Sequence, residues 1–260
     1  MLLNEFMSEA QTTNYCLGRI RDYHCTINNK VELYFSPNFD INYFATLLSN
    51  VQCLPFDNKN IYHLSTDEIL TAFGQLEKIM WYYNDHLKFN RYKIVNLYSL
   101  LKIISPKLTN EDLKYVTNKY NNIVQELPVA GVILISNGHV LLVQHNFSKK
   151  WSYPKGKIEK KETPLLAAIR ECYEETGYDA SHLIKENQLI IKKYNKYDKL
   201  GYFFVVTDVP FDYPFKPQSS YEILDAQWFP LDETFNKRRD FNMYIRHTYN
   251  DLLSLLKSEN

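Results

Sequence analysis

Residues 154–179 read PKGKIEKKETPLLAAIRECYEETGYD. Three acids, Glu171, Glu174 and Glu175, stand beside Arg170 within five positions. Like charges three and four residues apart repel on a helix, so this grouping requires a cation to gather it. Thr163-Pro164 supplies a helix start, with threonine as N-cap and proline at the first helical position. Gly177 ends the helix. At about 100° per residue, Leu165, Ile169, Cys172 and Thr176 share one stripe expected to pack inward, and the three glutamates occupy a separate arc of about 100°. Upstream, Gly156 allows a tight loop to return over the helix, and Glu162 is placed to pair with Arg170. As lone charges, the same residues would make a solvated acidic surface with Arg170 as counter-ion.

Outward from this stretch, 260 residues are enough for one large or two modest domains. Hydrophobic residues at 45% and aromatics at 15% can build a core. Basic and acidic residues balance at 30 each, so no global charge demands a nucleic-acid partner. A local surplus exists: from Lys149 to Lys199 there are twelve Lys/Arg against eight Asp/Glu, a difference of four. The cysteines Cys16, Cys25, Cys53 and Cys172 form no CxxC pair. Cys16, His24 and Cys25 fit no common zinc module, and the cysteines read as reduced structural thiols. The start MLLNEFMSEA lacks the basic and apolar regions of a signal peptide. No apolar stretch approaches the roughly 20 residues that cross a bilayer. The expected location is the cytoplasm, with the nucleus as a second possibility, and no membrane association is expected.

Two territories follow from periodicity. Between residues 38 and 124 it is helical. Ser65 and Glu68 read as a capping box, and the run that follows places Ile69, Phe73, Leu76, Met80, Tyr83 and Leu87 in one buried stripe. Further helices are expected at 94–104 and 110–124, separated by Pro106, with Thr109 and Asp112 capping the second. After a hinge near 124–128 the pattern becomes β. VAGVILISNGHVLLVQH is two apolar runs joined by Asn137-Gly138, a type I′ hairpin signal. Strands are expected at 188–195, 201–207 and 223–229, and an amphipathic helix at 240–257. The resulting organisation is an extension of unassigned structure at 1–37, a helical domain at 38–124, an α+β domain at 127–232, and a basic C-terminal helical segment at 233–260.

From Gly156 to Tyr178 the spacing is Gly, five residues, Glu, seven residues, Arg-Glu, an apolar residue, any residue, Glu-Glu, any residue, Gly, and an apolar one. This pattern matches the signature of the Nudix hydrolases at every fixed position. The resemblance implies an α/β/α sandwich with a mixed sheet, and cleavage of nucleoside diphosphates linked to another group. Oxygen ligands on one helical face suit Mg²⁺ or Mn²⁺, which neutralise a pyrophosphate and activate water. Glu171, Glu174 and Glu175 are the expected metal ligands. Glu174 and Glu175 are also catalytic candidates, and Gly156, Glu162, Arg170 and Gly177 are structural.

Around the signature, WSYPKGKIEKKE, LPVAGVILI and YEILDAQWFPLDE closely resemble the catalytic subunits of eukaryotic mRNA-decapping enzymes. FATLLSNVQCLP and LEKIMWYYNDHL resemble that family's regulatory domain. The likeness covers about residues 40–256 and implies hydrolysis of capped RNA to 7-methyl-GDP and 5′-monophosphate RNA. It implies a bilobed enzyme, a decapping-activator subunit on the helical domain, residence in RNA-decay granules, and Glu222 as general base. A monomeric catalytic unit is expected. Trp81 and Asp85 lie near 120° and 160° from the apolar stripe of their helix and are neighbours at i, i+4. An indole stacks well on a cationic 7-methylguanine, and a carboxylate accepts from the base edge. The family's corresponding pair contacts the cap; a core tryptophan is the plain alternative.

The sequence departs from the family at the hinge, where Val124, Gln125, Glu126 and Ala130 stand in place of basic residues. The expected RNA path runs along Lys149, Lys150, Lys155, Lys157 and a basic helix with Lys237, Arg238, Arg239 and Arg246. Two other readings compete: a pyrophosphohydrolase of free dinucleoside polyphosphates or related nucleotides, and a non-enzymatic RNA-binding adaptor, which would ordinarily have lost a signature glutamate.

Overall fold

A computed structural model describes residue 20 and residues 35–51, 61–87, 96–105, 107–194, 199–218, 220–232 and 235–258. Expectations for Cys16, His24, Cys25, Cys53 and Pro106 lie outside them. The chain divides into two compact units, Met1–Ile123 and Val124–Asn260.

The first unit contains helices α1 (Ile41–Val51), α2 (Thr66–His86) and α3 (Leu97–Ile104), and most of α4 (Asn110–Glu126). The start of α2 is a complete capping box: Ser65 Oγ accepts from the Glu68 N–H, and the Glu68 carboxylate accepts from the Ser65 N–H. Thr109 and Asp112 make the same reciprocal pair at α4. All six residues of the α2 stripe are buried, none more than 6% exposed. Phe73 of α2 stacks on Tyr120 of α4 at 4.3 Å between centroids. Two boundaries differ from the sequence expectation. Asn96 caps α3 through the Ser99 N–H, so that helix starts at Leu97 rather than near 94. Helix α4 continues to Glu126, since nothing in Val124, Gln125 or Glu126 breaks it.

The second unit is built on β1 (Val129–Ser136), β2 (His139–His145), β3 (Trp151–Ser152), β4 (Lys155–Lys157), β5 (Leu189–Tyr194), β6 (Lys199–Val206) and β7 (Ile223–Pro230). The sheet is mixed. β1 runs parallel to β6, while β1–β2, β1–β4, β2–β3, β2–β7 and β5–β6 are antiparallel. Asn137 and Gly138 both take positive φ, 47° and 70°, the signature of a type I′ turn between β1 and β2.

Alternation along β1 sends Val129, Ile133 and Ile135 to one face and Ala130, Val132 and Leu134 to the other. The C-terminal helix α6 (Met243–Ser258) covers the first face with Tyr244, Ile245, Tyr249 and Leu252. The acidic helix α5 (Pro164–Thr176) covers the second with Ala167, Ala168 and Cys172. Every β1 residue is therefore buried, in keeping with its apolar composition from Val129 to Ile135. This is an α/β/α sandwich. Helix α6 begins at Met243, not 240, because Asn242 Oδ1 accepts from the Tyr244 N–H at its start. Among the described residues, no helix is long and apolar enough to cross a membrane.

Candidate metal centre and active site

Helix α5 forms as its ends dictate. Thr163 Oγ1 accepts from the Leu166 N–H at 3.3 Å, and Gly177, at φ 72°, donates its N–H to Tyr173 O. Its inward face agrees with the expected stripe at Cys172 and Thr176 and departs from it elsewhere. Ala167, Ala168, Cys172, Glu175 and Thr176 are the buried residues, while Leu165 and Ile169 are only half-buried. Small side chains let the helix approach β1 closely, and that approach brings Glu175 against β4, where it is 3% exposed.

A buried carboxylate must be paired or it protonates. The Lys155 N–H donates to Glu175 Oε2 at 2.9 Å. Burial still pushes the Glu175 carboxyl well above its usual range; the Lys155 charge opposes this, and Glu171 and Glu222 add to it. Glu171 is pushed up to about 7 by burial, against the pull of Arg170.

Arg170 ties the helix to the strand and loop before it. Its Nε and Nη2 donate to both oxygens of Glu162 at 2.8 and 2.9 Å, and Nη2 also reaches Lys157 O. Nη1 donates to Glu171 Oε1 at 2.6 Å and Glu174 Oε2 at 3.0 Å. Burial opposes the Glu162 charge, yet the guanidinium holds its carboxyl below the usual range. Gly156 is not in a turn. It sits in β4, and a Cβ there would collide with the Glu171 carboxyl group, so glycine is required for close approach rather than for backbone freedom.

The three signature glutamates do not converge as a trio. Glu174 is 54% exposed and engaged with Arg170. Instead Glu175, Glu222 and His145 offer ligand atoms within 4.8 Å of one another. Glu222 immediately precedes β7 and is brought in by the loop after β2. Asn146 N–H donates to Glu222 O, and Asn146 Nδ2 to Tyr221 O, both at 2.8 Å. His145 is the last residue of β2. Burial and the Lys155 charge push its imidazole down to about 3, so the ring is neutral and has a lone pair to offer. Sequence reasoning missed His145: it closes an apolar strand and belongs to no spacing motif. The donor set, two carboxylates, one of them buried, and an imidazole, fits a divalent cation.

The model of the NUDIX domain matches residues 126–252. The chain contains a Nudix domain. Three similar curated proteins carry decapping names. The m7GpppN-mRNA hydrolase dcap-2 of Caenorhabditis elegans is 37% identical over 131 residues, 48% of this chain and 16% of that protein. The m7GpppN-mRNA hydrolase of Saccharomyces cerevisiae is 30% identical over 194 residues, 66% of this chain and 20% of that protein. The mRNA-decapping enzyme subunit 2 of Arabidopsis thaliana is 31% identical over 167 residues, 60% of this chain and 44% of that protein. The chain thus spans well under half the length of the first two and less than half of the third.

Within the Nudix domain the basic candidates separate. Lys155 and Lys157 are half-buried on β4, and Lys199 at the start of β6 joins them; burial and these two lysines push Lys199 down to about 8. Lys149 and Lys150 are exposed on the loop after β2, Lys149 donating to Asn146 Oδ1 at 2.9 Å. The expected basic helix is only partly helical. Lys237 ends a short 3₁₀ turn and Arg238 and Arg239 follow it, whereas Arg246 lies on α6. Arg238 is held by Asp240 at 2.7 Å and by the Phe229 and Phe241 rings. In the other unit, Trp81 and Asp85 are half-buried on α2, off its core stripe.

Proposed function

We propose that this protein is a decapping hydrolase that cleaves the 5′ cap triphosphate of RNA, releasing 7-methyl-GDP and 5′-monophosphate RNA. The observation that carries the reading is the buried Glu175, held by the Lys155 N–H and joined by Glu222 from a distant loop, within a Nudix domain. Similarity to proteins named for decapping supports the substrate, because it extends for 194 residues and so beyond the Nudix domain itself. A divalent cation, Mg²⁺ or Mn²⁺, would be held by Glu175 with Glu222 and by Glu171 beside it, and supplies charge neutralisation of the triphosphate and a nucleophile at neutral pH.

The residues divide the remaining work. Glu222 accepts the proton of the attacking water as its oxygen bonds to the β-phosphorus. The bond from that phosphorus to the bridging oxygen breaks, and the oxygen leaves with the RNA monophosphate. Lys155 and Lys157 face the phosphates, with Lys149 and Lys150 along the RNA. Trp81 stacks on the cationic base, and Asp85 accepts from its N1–H and amino group. The activity belongs in the cytoplasm, on a single catalytic chain to which an activator subunit binds through the helical unit.

RNA carrying a labelled cap tests this with Mg²⁺ and with Mn²⁺. Release of labelled 7-methyl-GDP is the expected result. Cleavage of dinucleoside polyphosphates with capped RNA left intact would favour the free-nucleotide reading.

A further inference from the structure

His145 stands where the signature gives it no role, yet its ring nitrogen lies within 4.8 Å of the nearest carboxylate oxygens of both Glu175 and Glu222. These three side chains arrive from separate elements: the end of β2, the last turn of α5 and the approach to β7. The loop that follows His145 is tied to the Glu222 segment by two hydrogen bonds from Asn146, so the imidazole and Glu222 are held in register. Backbone bonds on both sides fix His145 itself, its N–H donating to Lys150 O at 3.1 Å and its carbonyl accepting from the Lys149 N–H at 2.9 Å.

The ring is oriented as a ligand. Lys155 Nζ lies 3.5 Å from His145 Nε2. An ammonium has only protons to give, so the nitrogen facing it presents its lone pair. The same Lys155 also donates its main-chain N–H to Glu175 Oε2. Its ammonium therefore stands beside the imidazole, as a positive charge that acts on the Glu175 carboxyl as well. A bound cation would replace it there.

We propose that His145 is a direct nitrogen ligand of the cation shared by Glu175 and Glu222, and that it biases this site toward first-row transition ions over Mg²⁺. The reason is ligand chemistry. Mg²⁺ keeps oxygen ligands and waters and gains little from imidazole. Along the series from Mn²⁺ to Co²⁺, affinity for nitrogen donors rises. A carboxylate-only site would discriminate weakly; an added imidazole favours Co²⁺ most, Mn²⁺ less and Mg²⁺ least.

The inference rests on Glu175 and Glu222 holding a cation, and the test separates the two claims. Metal-free full-length protein is titrated with Mn²⁺ by loss of the free-ion spin-resonance signal. Co²⁺ is followed by its visible absorption, and Mg²⁺ by competition with Mn²⁺. His145→Ala is expected to weaken Co²⁺ and Mn²⁺ by at least about tenfold, since even groups that only support a ligand cost that much. Mg²⁺ should change by less than about twofold, the loss being ordered as the ions' preference for nitrogen. Pulsed spin resonance on the wild-type protein loaded with Mn²⁺ should show coupling to an imidazole nitrogen, a readout that needs no variant to fold. Absence of that coupling, or equal losses for all three ions, overturns the proposal. Unchanged binding of all three ions in Glu175→Gln would instead overturn the cation site itself.

Discussion

The main-chain N–H of Lys155 donates to the side chain of Glu175 across 2.9 Å, although the two residues are 20 positions apart. The strand before the acidic helix thereby holds that helix's most buried carboxylate with a group that no substitution other than proline removes. This leaves the lysine side chain available for other contacts, and it fixes one oxygen of a carboxylate that also lies within 4.8 Å of ligand atoms of Glu222 and His145.

Glu175→Gln should leave the fold intact and lower turnover by several orders of magnitude, because charge that stabilises the transition state is lost. Glu222→Gln should slow the reaction with a smaller effect on cation affinity, and should flatten the rise in rate with pH that a general base produces. Rates measured across pH, with cation affinity on the same samples, check both. Near-wild-type turnover in Glu175→Gln would remove the centre from catalysis.

Gly156→Ala should disturb the site through Glu171. A Cβ at this position meets the Glu171 carboxyl group, which Arg170 grips at 2.6 Å, so the side chain has little freedom to withdraw. Overpacking of this kind costs about 1–3 kcal/mol. The expected outcome is a lowered melting temperature together with weakened cation binding. Unaltered melting would show that Glu171 moves aside freely.

Trp81→Ala should reduce catalytic efficiency on capped RNA. Loss of stacking on a cationic base is worth about 1–3 kcal/mol, equal to about 5- to 150-fold at 1.4 kcal/mol per factor of ten. Preference for methylated over unmethylated caps should shrink, because methylation makes the purine cationic. Asp85→Ala should weaken the preference for guanine over other purines. Trp81 is half-buried and absent from the α2 core. Its removal should therefore change cap preference more than melting, and destabilisation with intact preference would remove the cap-platform role.

The metal-free protein should lose stability as pH rises from about 6.5 to 7.5. Glu171 is raised to about 7 by burial, and Glu175 is raised as well. Between the ordinary glutamate range and these values the folded state binds more protons than the unfolded one, so raising pH favours unfolding. His145 acts in the opposite sense. Its folded value near 3 lies below the ordinary imidazole value of about 6.5, so its contribution is present above pH 6.5 and lost as pH falls from there toward 3. Glu171, at about 7, is only partly protonated across this window, so its share of the loss is smaller than the about 1.4 kcal/mol that one group can contribute over a full unit. Melting temperatures with and without divalent cation give the check: the loss should appear without the ion and shrink with it. A flat metal-free profile would contradict the burial of these acids.

The caps of α2, α4 and α5, the stripe on α2, the type I′ turn and the strand character of β1 were legible in the chain, because each depends on residues a few positions apart. Ser65 and Glu68, Thr163 and Pro164, and Asn137 and Gly138 act through local backbone geometry, which composition and spacing encode directly. The pairing of Arg170 with Glu162 was legible for a similar reason, the cap and first turns of one helix separating them. Which face of the acidic helix turns inward was legible only in part. The stripe read from spacing, Leu165, Ile169, Cys172 and Thr176, holds at the buried Cys172 and Thr176, but close approach to β1 turned the small Ala167 and Ala168 inward and carried Glu175 into the interior with them. The same approach split the glutamates, leaving Glu174 in solvent with Arg170. His145 and Glu222 reach Glu175 only because β2 pairs with β7 over most of its length, a register decided by strand packing between segments some 80 residues apart. Local sequence specified the elements and the acid-rich helix. Close packing and strand register, which sum contacts from distant segments, chose the atoms that meet at Glu175.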